Sequence, residues 1–283
     1  MKFGAHCYLF TQKWTDRSVE LLPRLKDAGL DALEIAVGDD VEFDADALRQ
    51  AATENNMDLV LSPGAKWPER LDLSSSDASP RRDALDWHRR QVQLAERCGA
   101  VAYTGGLYGH PGVIRPQRPT DAEYDRIADE LRRLADFAFD RGVTVALEPM
   151  SRFRTHLVNR PRQAVELIRR AGHDNLGVLL DTYHMVPGVR DYESAFMEAE
   201  GLLWGVHACE NDRGVPGGGL VPWEQVARAL RRMEFDGYVM LETYNTGLDD
   251  FGPRRGIFQD VCPYGFDFVR RGLEFLRGRF CAE

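Results

Sequence analysis

The sequence predicts an α/β fold: a single parallel, eight-stranded (β/α)8 TIM barrel occupying residues 1–283 as one domain. Three observations lead there. Short apolar runs alternate with longer amphipathic stretches, there are eight of each, and successive runs lie about thirty residues apart, one βα unit. A doubly wound open sheet is the runner-up. It would carry a Gly-rich phosphate loop after its first strand, and none is present.

The first strand is read at "KFGAHCYLF" (2–10), with a helix-period segment at 16–28. "ALEIAVG" (32–38) follows "AGLD", in which Gly ends the preceding helix, and 44–56 is the second helix. "DLVLSPG" (58–64) leads to a helix at 79–98, which stops at "RCGA" before the strand "AVAYTGG" (100–106). The fourth helix, 120–141, opens on "TDAE", where Thr120 and Glu123 form a capping box, and stops at "DRGV". "VTVALEP" (143–149), "LGVLLDT" (176–182), "LLWGVHA" (202–208) and "GYVMLET" (237–243) complete the strands. Helices at 160–172, 190–200, 222–234 and 263–278 complete the period. No linker or low-complexity segment interrupts it.

Composition narrows the function classes. A net charge of −9 and a pI near 5.4 argue against a broad nucleic-acid surface. Five scattered cysteines without a CxxC argue for reduced thiols in a cytoplasmic protein. The start "MKFGAHCYLF" lacks the long apolar region of a signal peptide, and no run approaches a membrane span. The expected partner is a small molecule, with neither nucleic acid nor membrane involved.

The chemistry lies at strand ends. Four consecutive strand candidates finish in a metal-ligating residue: Glu148, Asp181, His207 and Glu242. A lone carboxylate there is usually a helix cap, and a lone His in "GVHAC" is usually a satisfied core residue. In a parallel barrel, however, the C-terminal strand ends converge on one mouth. Three carboxylates brought together repel unless a cation or protons neutralise them, so the set points to one bound divalent ion. Three oxygens and an imidazole suit Mn²⁺ or Mg²⁺, with Co²⁺ or Ni²⁺ as substitutes and tetrahedral zinc less apt. Adjacent oxygens of a hydroxy-ketone could fill the open positions, where the ion would polarise the carbonyl and stabilise an enediolate. His184 follows Asp181 in "DTYHM", and Glu210 and Arg213 follow the seventh strand in "HACENDRGVPGGG". These three are candidate substrate contacts. Glu34, ending the second strand, is either an orienting group or a structural barrel carboxylate.

At these residues the chain resembles the xylose-isomerase-like TIM-barrel superfamily of sugar isomerases and epimerases, and within it the ketose 3-epimerases acting on tagatose, fructose and psicose (allulose). The resemblance is carried by "GLDALEIAVGD", "ALEPMSRF", "LLDTYHM", "GVHACENDR", "PGGGLVPWEQV", "YVMLET" and "RRGIFQDVCPYG". It implies that Glu148, Asp181, His207 and Glu242 hold Mn²⁺, or Co²⁺ in its place, and that His184 and Arg213 contact substrate oxygens. It also implies that Glu148 and Glu242 exchange protons with C3 from opposite faces, and that the protein is a homodimer or homotetramer. Inverting a carbon does need acid/base groups on both faces of a planar intermediate.

The chain also departs from that family. Where it commonly reads Glu-Pro-Leu-Asn-Arg-Phe-Glu, this chain has Ser151 for the Asn and Arg154 for the second Glu, and His6 stands where an aromatic residue is usual. All three changes touch the expected substrate pocket and leave the metal ligands intact. A guanidinium has only donors, so Arg154 either turns away to pair with an acid or reaches an oxygen of a modified or oxidised sugar. The leading expectation is a metal-dependent epimerase acting at C3 of a ketose or modified keto-sugar. Aldose–ketose isomerisation, inosose-type dehydration and deglycosylation of an oxidised glycoside could use the same metal site. An apurinic endonuclease on this barrel needs histidines after strands three and four, where "LSPGAKW" has none and "YTGGLYGH" offers only His110. A non-catalytic sugar-binding subunit would have no need of the complete ligand set.

Overall fold

The computed structural model describes residues 1–281. Eight parallel strands close a barrel in chain order: β1 (Lys2–His6), β2 (Ala32–Val37), β3 (Asp58–Pro63), β4 (Ala102–Gly105), β5 (Thr144–Leu147), β6 (Leu176–Asp181), β7 (Leu203–Ala208) and β8 (Tyr238–Leu241). Closure is direct, with Phe3 of β1 opposite Val239 of β8, so no sheet edge is left open. The outer ring contains α1 (Leu21–Asp27), α2 (Ala45–Glu54), α3 (Ala78–Cys98), α4 (Asp121–Phe139), α5 (Pro161–Ala171), α6 (Thr182–Met185), α7 (Tyr192–Met197), α8 (Trp223–Arg232), α9 (Phe251–Arg254) and α10 (Gly265–Phe280).

Each strand lies where its apolar run predicts, and the differences are local. The first strand stops at His6 instead of residue 10, because the His6 side chain caps a 3-10 turn over Cys7–Leu9 and bends the chain away. The segment 16–28 divides into a 3-10 helix, Asp16–Glu20, and the short α1. The Thr120–Glu123 capping box is formed at the start of α4. Gly99 ends α3 in the left-handed conformation (φ 70°), which a side chain would resist. All five cysteines are unpaired.

Most of the core lies between the barrel wall and its helices. A separate apolar plug fills the barrel interior with Val60, Ala102, Ala146, Leu179 and Met240. Gly4 and Gly205 belong to the same level: a Cβ on Gly4 would come within 2.9 Å of Met240 Cγ, and one on Gly205 within 3.2 Å of Leu179 Cδ1. Side chains along a strand return to the same face every second residue. One step above the plug, toward the C-terminal mouth, the inward positions are therefore His6, Glu34, Ser62, Thr104, Glu148, Asp181, His207 and Glu242. An apolar floor carries a complete ring of polar groups.

Candidate metal centre and active site

Burying such a ring is costly unless its members satisfy one another. Seven of the eight are buried, and the side chain of Glu242 is 12 % exposed. His207 is the hub. Its Nε2 lies 2.6 Å from Glu34 Oε2, and its Nδ1 lies 3.2 Å from both Glu148 Oε1 and Glu242 Oε2. Thr104 Oγ1 donates to the other Glu34 oxygen at 3.2 Å. Asp181 Oδ1 accepts from the Tyr183 amide at 2.7 Å, capping α6. Arg213 Nη1 sits 2.6 Å from Glu242 Oε2 and 2.9 Å from Asp181 Oδ2. Arg213 reaches them from a backbone with φ 66°, an uncommon conformation for a side chain-bearing residue and one that concentrates at functional sites.

These carboxylates feel one another. Burial pushes the Glu148 carboxyl up to about 7, against the pull of His207, and Glu242 and Asp181 add to the rise. Burial likewise lifts Asp181 to about 6. Burial opposes ionisation of Glu242 too, but Arg213 and His207 hold it well below the usual carboxylate range. For His207, burial disfavours the charged ring, and Glu34 and Glu242 overcome that to hold it protonated well above an ordinary histidine.

The donor set fits a divalent cation. One ligand atom each from Glu148, Asp181, His207 and Glu242 lies within 4.8 Å of the others, so these four could hold a metal ion. Asp181 Oδ2 is buried without a properly directed hydrogen bond, although Arg213 stands beside it as a charge. Glu34 occupies Nε2 of His207 and leaves Nδ1 toward the other three ligands, the usual way a carboxylate orients a metal-binding imidazole.

Above the ring is a cavity of about 650 Å³, within the range for a small-molecule site. His6, His184, Arg213 and Arg154 line it, together with Glu34, Glu148, His207 and Glu242. His6 Nδ1 accepts from the Tyr8 amide at 3.1 Å, so the proton of its neutral ring is on Nε2. His184 is buried, with Nε2 3.7 Å from Asp181 Oδ2 and Nδ1 without a partner among the described residues. Arg154 is exposed, and its guanidinium makes no ion pair or hydrogen bond among the described residues.

Glu210 does not reach the cavity, which corrects the expectation that it contacts substrate. Its carboxylate faces the loop after β7 and accepts from the amides of Gly217 (2.7 Å) and Val221 (3.1 Å) and from Trp223 Nε1 (2.6 Å). The sequence places it beside site residues, but its oxygens are committed to holding the Gly-rich turn. Residues that sequence reasoning did not select include Tyr8, Lys66, Trp67, Tyr244 and Arg255, all lining the cavity. They lie beyond strand ends, where no periodicity marks them.

The chain is similar to known proteins over most of its length. A probable ketose 3-epimerase from Synechocystis is 26 % identical over 98 % of this chain and 96 % of its own. A D-psicose 3-epimerase from Agrobacterium fabrum is 28 % identical over 86 % of this chain and 85 % of its own. Among solved structures, an L-ribulose 3-epimerase superposes with a TM-score of 0.90 at 24 % identity, covering 99 % of this chain and 94 % of that one, which establishes likeness of fold. The family described as xylose isomerase-like TIM barrel matches residues 22–264. With most of its length inside that match, the chain belongs to the xylose isomerase-like TIM barrel family.

Proposed function

We propose that the protein is a metal-dependent ketose 3-epimerase, inverting C3 of a keto-sugar by removing a proton from one face and delivering another to the opposite face. The observation that carries this reading is the placement of Glu148 and Glu242. They come from β5 and β8, with two strands between them, and each puts an oxygen 3.2 Å from His207 Nδ1. Two carboxylates approaching one point from different walls can serve the two faces of a planar carbon. Relatives with ketose 3-epimerase names over nearly the whole chain support the same reaction class.

In this reading Glu148, Asp181, His207 and Glu242 hold one divalent ion, Mn²⁺ in the first instance. When bound, such an ion polarises the substrate carbonyl and offsets the negative charge that develops on its oxygen. Glu148 and Glu242 move protons at C3, one taking up the substrate's proton on its face and the other giving its own carboxyl proton to the opposite face. His184 and His6 orient substrate oxygens from the cavity wall. Arg213 holds Glu242 and Asp181 in place and presents its remaining donors. Glu34 keeps the His207 proton on Nε2. The chain works as a single domain in homodimers or homotetramers, in the cytoplasm, without a nucleic-acid or membrane partner. No helix among the described residues is long and apolar enough to cross a membrane.

NMR of products formed in D₂O tests the reaction. Epimerisation places deuterium at the inverted C3 and loses neither water nor a sugar. Label at C1, or release of water or of an aglycone, would instead identify an isomerase or a lyase using the same residues.

The role of Glu34 makes a separate prediction. Glu34→Gln keeps the shape but weakens the charge that orients His207. Metal affinity, measured by titration calorimetry on chelator-treated protein, should fall about 10- to 100-fold while the folded far-UV spectrum is retained. Unchanged affinity would make Glu34 a structural carboxylate only.

A further inference from the structure

The cavity is charged differently at its two ends. Its lining carboxylates are all engaged: Glu34, Glu148 and Glu242 belong to the polar ring, and Asp212 accepts from the Gly214 amide at 2.8 Å. Arg213 and a bound divalent ion would offset three of the four carboxylate charges of that ring. The rest of the lining carries Lys66, Arg154 and Arg255, and none of these three forms an ion pair with a described residue. Outside the ring these three cations share the lining with one carboxylate, Asp212, and that excess of positive charge lowers the cost of bringing in an anion.

Arg255 is prepared for such a ligand. Its guanidinium packs over the rings of Tyr8 (4.7 Å), Tyr244 (5.3 Å) and Phe251 (5.4 Å), which hold it in one place. Nη2 donates to Tyr8 Oη at 2.9 Å and to the Gly64 carbonyl at 3.2 Å, leaving the Nη1 and Nε donors without a protein acceptor among the described residues. Arg154 is anchored through its backbone, its amide donating to the Ser151 carbonyl at 2.8 Å and its carbonyl accepting from Gly112 at 2.6 Å, while its head group is uncommitted. Tyr244 links the two ends. Arg213, the partner of Glu242, stands 5.9 Å from the centroid of the same ring that Arg255 covers. Tyr244 is therefore a shared neighbour of the ring's arginine and of Arg255, and both face the one cavity.

We propose that the substrate is an anionic keto-sugar, whose terminal carboxylate or phosphate is held by Arg154 and Arg255 with Lys66 at the rim, while its carbonyl end faces the four-ligand ring. This rests on the epimerase reading for what happens at the ring, but not for the charge of the ligand. Guanidinium forks match planar carboxylates and phosphate oxygens equally well, so the shared chemistry is an anionic oxygen group. A neutral ketose would leave three cations facing it unanswered.

The test uses the full chain loaded with Mn²⁺ and three probes that share carbons 1 to 5 and differ only at C6: D-fructose, D-fructuronate and D-fructose 6-phosphate. Titration calorimetry should show at least one anion binding about tenfold to hundredfold more tightly than fructose, as expected of charge-assisted hydrogen bonds, and the tighter anion identifies the terminal group. Arg154→Gln and Arg255→Gln should each remove most of that preference, and Arg154→Glu should reverse it toward fructose. Arg154 is exposed, so its variants report on binding even if Arg255 proves necessary for the packing of its aromatic neighbours. Fructose binding as tightly as both anions, no binding of any probe, or a preference that survives both glutamine variants would overturn the proposal. Exchange of the C3 hydrogen in D₂O is scored separately. Anion preference without C3 exchange removes the epimerase reading and keeps the anion site, whereas C3 exchange on fructose without anion preference does the reverse.

Discussion

His207→Ala should strip the protein of its metal and reduce turnover to background. The imidazole is the single nitrogen donor among the four candidate ligands, and it is also the group that three carboxylates share. Alanine removes a ligand and leaves Glu34, Glu148 and Glu242 facing each other without their common partner. Breaking a buried ionic contact from one side costs about 3–5 kcal/mol, so the variant should also melt earlier than the native protein. The fold itself should persist, because β7 is held by its backbone pairing to β6 and β8, which a side chain change leaves alone. The companion experiment is chelation. Native protein freed of metal should lose activity and thermal stability together, and both should return with added Mn²⁺. Saturation at a thousand times the dissociation constant would restore about 4 kcal/mol. An alanine variant with full metal content by elemental analysis and native turnover would show that the ligand assignment is wrong.

The barrel and the metal-side residues are legible in the sequence for one physical reason. Parallel strands buried on both faces read as apolar runs, so a carboxylate or histidine at the end of such a run is conspicuous against Val, Ile and Leu. Asp181 after "LGVLL" and Glu242 after "YVML" stand out in this way. The same double burial hides which face of a strand is inward. All six residues of β2 are buried, so Glu34 carries no alternation to say that it points into the barrel. Its partnership with His207 emerges only when Val60, Ala102, Ala146, Leu179 and Met240 define the plug and the residue two steps along each strand becomes the next layer. Glu210 fails in the opposite direction. It stands three residues after His207, but its orientation depends on how the Gly-rich turn folds back to present Gly217, Val221 and Trp223, a non-local closure that no short pattern encodes. Arg255 is hidden for a third reason. It lies in the connection from β8 to α10, where only packing on Tyr8, Tyr244 and Phe251 shows what its side chain does.

Glu148→Gln and Glu242→Gln test the chemistry apart from the metal. Glutamine keeps the size of the side chain and one carbonyl oxygen that can still act as a ligand, but its amide cannot take up or release the proton. Loss of a positioned acid or base typically costs 10²- to 10⁴-fold, so each variant should turn over at least about a hundredfold more slowly at matched metal occupancy. Occupancy must be measured in the same samples, because a weakened ligand alone would also abolish activity. The two variants need not behave alike. Glu242 is paired with Arg213, and removing its charge also releases Arg213 toward Asp181, 2.9 Å away. Glu148 has no arginine among its ion-pair partners and touches His207 instead. Glu148→Gln should therefore lose catalysis with smaller disturbance of the remaining site, while Glu242→Gln should lose catalysis and metal affinity together. On the proposed reading the two carboxylates serve opposite faces of C3, so neither should replace the other, and complete epimerisation should require both. Exchange of the C3 hydrogen with solvent at the native rate, in either variant with its metal fully loaded, would rule out the paired proton-transfer role and leave the two glutamates as ligands alone.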